Sequence, residues 1–226
     1  MHLWSGKDTV LMMMRVFLWS VALAFAVGTF FIVHHSFSYL TDYDSVSFVI
    51  DKGQLGDSQP WKGVLLVHVG AGGASLLACF LLFSRRLRVG PWRLHRIAGL
   101  FFVLTMVGLV LPSGFYLAFH AMGGLSGTIG FLFNGFLVLG FLIFGWWSFR
   151  QGKVGDHAAW MTRAFAMAAS AVTFRYLHVG LEIFPLSNTT NYLISLWGSL
   201  GLNYFAAEMV IARIGFFHTP QLPIQT

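Results

Sequence analysis

The chain has 226 residues, 57% of them apolar and only 10% charged, with a mean hydropathy of +0.72. A soluble domain of this size carries about 25% charged residues, so lipid rather than water is the expected solvent and no separate soluble domain fits. The net charge of +6 sits in short turns between apolar runs, which excludes a nucleic-acid-binding face and points to membrane orientation.

A spanning helix needs roughly 20 mostly apolar residues. The chain offers six such stretches in one domain, residues 1–226: Val16–Val33, Gly63–Phe83, Ile97–Phe119, Leu125–Phe149, Ala158–Phe184 and Tyr192–Ala212. The expected fold is all-α, a polytopic transmembrane helical bundle, since only helices and closed barrels satisfy their backbone in lipid. Lys7 and Arg15 give the first stretch a signal-peptide look, but its small residues, Ala22–Ala26, lie in mid-run, so an uncleaved anchor is expected.

The connection from His34 to Trp61 (loop 34–61) holds Asp42, Asp44, Asp51 and Asp57 against Lys52 alone, and its Phe37, Tyr39, Tyr43 and Phe48 suit a lid on the outer surface. The next turn is basic, with Arg85, Arg86, Arg88, Arg93 and Arg96, and the turn after the fourth stretch carries Arg150 and Lys153. The positive-inside rule then puts both termini and the basic turns in the cytoplasm of a bacterial inner membrane. Pro112 should kink the third helix. The small residues of helix two (Gly70, Gly72, Gly73) and of helix five (Ala164 to Ala171) mark close helix contacts. Cys79, the lone cysteine, is expected to be a buried small hydrophobe.

Charged groups within a membrane cost about 2.5–3.5 kcal/mol each on insertion scales, so each calls for a partner or a task. Arg163 and Glu208 lie at similar depths, roughly 8 Å from the cytoplasmic ends of their helices, and are expected to form a structural ion pair. Arg175 has no acidic residue at its level. His68, Asn134 and Asn203 share its depth, a setting for a ligand's carboxylate or for a hydrogen-bond network.

The histidines fall in two layers: His95 and His157 at the cytoplasmic side, His68 and His178 toward the outside, with His120 at the outer mouth of helix three. Two layers suit an electron carrier with two b-type haems, whose irons take axial imidazoles. Gly72 and Gly99 follow His68 and His95 by four residues, on the same helix faces. Arg93 and Arg96 could pair with haem propionates. Quinone or another redox partner goes with that reading. Two alternatives stand beside it. One is a non-catalytic subunit of a membrane assembly, or a small-ligand binder. The other is a metal-dependent enzyme using His95, Asp156 and His157.

Several of these residues also form a pattern. Leu66–Val67–His68, then Leu94–His95–Arg96 with Gly99, Ser113–Gly114, Asp156–His157 with Trp160–Met161 and Arg163, and Thr173 with Arg175 span nearly half the chain. The stretch resembles the bacterial membrane family called domain of unknown function 2306. The resemblance implies a multi-helix inner-membrane protein and leaves its activity open. It makes His68, His95, His157, Arg163 and Arg175 pattern positions and leaves His120 and His178 outside.

Overall fold

The computed structural model describes residues 6–83 and 92–213. Arg85, Arg86 and Arg88 of the basic turn lie outside the described residues, as does the side chain of Arg93. Among the described residues the chain is helical throughout, without strands: α1 (Gly6–Thr41), α2 (Gln59–Phe83), α3 (Trp92–Thr105), α4 (Leu111–Ala118), α5 (Gly124–Arg150), α6 (Val154–Ala168), α7 (Ser170–Leu181) and α8 (Asn188–Arg213).

Five stretches are long and apolar enough to cross a membrane: Ala22–Thr41, Gln59–Cys79, Leu94–Ala118, Gly124–Arg150 and Val154–Leu181. The sixth expected span falls within α8, which is 26 residues long but less apolar. Asn191, Ser195, Ser199 and Asn203 recur at intervals of four and form a stripe on one helix face. Asn191 Nδ2 donates to the His178 carbonyl (3.0 Å) and Asn203 Nδ2 to the Ala166 carbonyl (2.8 Å). Thr173 Oγ1 donates to Asn203 Oδ1 at 2.7 Å. Lipid gives helices no hydrophobic reason to associate, so polar contacts of this kind hold α8 to α6 and α7. On the outside of the bundle large apolar side chains such as Trp19, Phe31, Leu125 and Ile183 remain uncovered, as a lipid solvent requires.

The first helix runs eight residues past the expected Val33, to Thr41. No glycine or proline interrupts that stretch, and Ser36 and Thr41 return their hydroxyls to the Ile32 and Phe37 carbonyls. The remaining connection is short and packed. Tyr39, Tyr43, Val46, Val49, Trp61 and Leu65 form one buried cluster. Tyr43 Oη donates to the Gly56 carbonyl at 2.8 Å, Phe48 stacks on Trp61, and Lys52 Nζ donates to the His120 carbonyl. Burial pushes the Lys52 ammonium below its ordinary value. A Cβ at Gly56 would sit 2.9 Å from the Val49 carbonyl oxygen, so the cap closes only around a glycine there.

Pro112 acts through a π turn rather than a simple kink. Met106–Val110 adopts π-helical bonding, the Leu111 amide reaching the Met106 carbonyl. Proline offers no N–H to the carbonyl four residues back and clashes with it. One extra residue in the turn relieves that conflict and turns carbonyls off the helix axis.

The two halves of the bundle are packed differently. Toward the basic turns, α6 lies against α5 and α8, and the centre is filled by Cys79, Phe102, Met106, Phe141, Ala164 and Met167. Toward the cap, the chain turns at Ala169, and α7 packs chiefly on α8 and α1 instead of α5.

Candidate functional site

His68 is fixed from one side. Its Nδ1 lies 3.1 Å from the Val110 carbonyl and 3.0 Å from Ser113 Oγ. The Ser113 hydroxyl donates to the Leu109 and Val110 carbonyls, so it accepts from the imidazole and Nδ1 carries the proton. The lone pair of the neutral ring is then on Nε2. Both of these carbonyls sit at the end of the π turn, which is how a proline two residues on determines the orientation of a histidine on another helix. Gly114 completes the cradle: a Cβ there would come within 3.0 Å of His68 Cε1. Gly72, one turn along α2 from His68, faces space in which a Cβ would meet nothing within 4 Å.

Arg175 shares this region. It lies within electrostatic reach of His68, Tyr39 and Tyr192, and no carboxylate among the described residues acts on it. Its one hydrogen bond, Nη1 to the Ala171 carbonyl at 2.9 Å, goes to its own helix. The residue keeps accessible surface rather than being packed away. Below it, Thr29 Oγ1, Ser75 Oγ and Asn134 Oδ1 are buried without a partner. Ser75 is seven residues beyond His68 on the same face of α2, about 10 Å deeper. Buried polar atoms without partners are costly unless water or a ligand meets them.

His178 sits beside the same space. Its ring stacks on Phe174 (5.6 Å, 8°) and meets Tyr192 edge-on at 6.3 Å. Its Nδ1 is buried without a partner. Sequence reasoning passed over Tyr192, because a tyrosine one turn into a helix is ordinary. Asn203, expected near Arg175, is instead occupied by Thr173 and the Ala166 carbonyl.

At the basic end His157 is held between helices. His157 places Nδ1 2.8 Å from the Gly145 carbonyl and its ring 5.4 Å from that of Phe149. Gly145 allows α6 to approach: a Cβ there would lie 2.8 Å from Met161 Sδ. His95 is half-buried and Arg96 exposed in the first turns of α3. Gly99, the counterpart of Gly72, faces Leu82 at 3.7 Å. Among the described residues no three His, Cys, Asp or Glu side chains converge as a metal site, which removes support from the His95, Asp156 and His157 grouping.

Arg163 and Glu208 pair through two hydrogen bonds, Nε to Oε1 at 2.6 Å and Nη2 to Oε2 at 2.9 Å. The Trp160 ring lies 4.7 Å from the guanidinium carbon. The arginine's charge is thereby answered within the protein, in contrast to Arg175.

A family model described as predicted membrane protein (DUF2306) matches residues 65–211, well over half the chain and every residue of the site except those on α1. Neither a curated protein nor a solved structure matches.

Proposed function

From the chain's membership of the DUF2306 family of predicted membrane proteins, and from the site its matched segment builds, we propose that it is a ligand-binding protein of the bacterial cytoplasmic membrane. The interior of the capped half receives an anionic, carboxylate-class group. The cap faces outward and both termini lie in the cytoplasm, a reading supported by the charge of the turns.

One observation carries this: among the described residues Arg175, set within an apolar span, has no acidic partner. An arginine in lipid is retained where it has a counter-charge or a function, and its planar fork suits a carboxylate held by two hydrogen bonds. His68 and the hydroxyls of Tyr39 and Tyr192 stand close enough to the charge to feel it. Native mass spectrometry of the purified full chain tests the reading. Wild type should carry a co-purifying acidic species that Arg175→Gln lacks; identical spectra would sink it.

A second reading is a b-type haem in the capped half, with or without quinone-linked electron transfer. It is favoured by the anchoring of His68, since a ligating imidazole commonly donates its other N–H to a carbonyl or carboxylate. The open face at Gly72 and a carboxylate partner in Arg175 suit the ring and a propionate. His178, stacked on Phe174, is the second histidine of the outer layer. A visible spectrum after haem-replete expression distinguishes the two: a Soret band that disappears in His68→Ala supports haem, and a featureless wild-type spectrum removes it.

A further inference from the structure

The cap and the lipid-facing surface together suggest how a ligand would reach Arg175. On the water side stands the packed cap, with Trp61, Tyr43 and Val46 all buried and Lys52 bonded to the His120 carbonyl. On the lipid side there is a groove of about 330 Å³ between α2 and the π turn, walled by Val64, Val67, Leu109, Pro112 and Tyr116. That volume is at the lower end of the range of small-ligand pockets, about 300–1,000 Å³. Its floor includes Ser113, whose hydroxyl holds His68 Nδ1. The groove and the site therefore share a wall one side chain thick.

Gly63 and Gly108 also line the groove, and a Cβ on either would meet nothing within 4 Å. These glycines are not needed for close helix contact, unlike Gly135, where a Cβ would fall 2.4 Å from the Phe115 ring. Their effect is to leave the groove empty. The π turn adds to it by displacing one wall of the helix.

We infer that the ligand is carried by the bilayer: a long-chain carboxylate reaches the site sideways through this groove, its head directed to Arg175 and its alkyl tail resting between α2 and the π turn. This deepens the carboxylate reading above and rests on it. A water-borne acid would have to pass the cap, whereas an amphiphile already lies with its tail in the hydrocarbon and its head near the level of the site.

The test uses a diazirine-bearing palmitate with the full chain in lipid nanodiscs, followed by mapping of the adducts by mass spectrometry. Wild type should be labelled preferentially on groove residues such as Val67 and Leu109. Gly108→Leu and, independently, Gly63→Leu should reduce that labelling about tenfold, a loss equivalent to about 1.4 kcal/mol of binding. Gly201→Leu, another exposed glycine with open space around it, should leave it unchanged. Labelling that is spread evenly over lipid-facing residues, or that survives both groove-filling variants, overturns the inference. Arg175→Gln separates the two ideas. If it abolishes groove labelling while the glycine variants do not, the carboxylate reading stands and the groove falls. If the glycine variants abolish labelling and Arg175→Gln does not, the groove holds a tail but the role of Arg175 is wrong.

Discussion

Arg163 and Glu208 face each other in parallel, each guanidinium donor meeting one carboxylate oxygen, and in doing so join α6 to α8. The side chains are 18% and 36% exposed, so the pair sits at the edge of the bundle rather than in its centre. Its stability contribution is accordingly that of a partly screened contact. Glu208→Gln should lower stability by roughly 1 kcal/mol, within the range of polar contacts between membrane helices. Arg163→Met with Glu208→Met should recover part of the loss, because neither charge is then left alone. Thermal unfolding in detergent measures both, and a double variant less stable than either single one would refute the pairing argument.

His157 and His68 should respond differently to truncation. His157→Ala removes the bond to the Gly145 carbonyl and a ring packed on Phe149, at a cost of about 1–2 kcal/mol, without affecting a ligand bound near Arg175. His68→Ala should lose that ligand while the bundle still folds. Equal loss of ligand in the two variants would contradict the separation of the two ends.

Pro112→Ala supplies the missing N–H and removes the clash that requires the π turn. The helix is expected to regularise, withdrawing the Val110 carbonyl from His68 and shrinking the groove. Hydrogen exchange across residues 106–114 should slow in the variant, and ligand retention should fall with it. Unchanged exchange would mean that the turn is set by packing instead.

The cap should open at alkaline pH through Tyr43. Burial, with Asp57 and Asp44 nearby, raises its phenol above the usual value of about 10. A group whose pKa is raised on folding contributes stability that is complete below the unfolded value and is lost as pH rises through the folded one. Protease sensitivity of residues 42–58 should therefore increase above pH 10 (about the free phenol's value). Tyr43→Phe, which cannot ionise, should flatten that rise while weakening the cap at neutral pH through loss of the bond to Gly56. A pH profile unchanged by Tyr43→Phe would assign the opening to another group.

The helical bundle and the Arg163–Glu208 pairing were legible in the sequence because both depend on one-dimensional quantities. Run length against membrane thickness gives the spans, and depth along a helix gives partners for charges. The weaker apolarity of α8 was not read from the sequence, where Tyr192–Ala212 was expected as an apolar span like the others. The site was legible only in fragments. His68 and Arg175 stood out as polar groups in apolar runs, but nothing along the chain says that α7 turns away from α5 at Ala169. Nor does it say that Phe102 and Met167 meet in one buried cluster. Whether a histidine layer is a slot or a packed seam depends on which helices are neighbours at that depth. Sequence distance carries no record of that, because helix packing in lipid is decided by the shapes and polar contacts of surfaces that meet only after the chain has crossed the membrane several times.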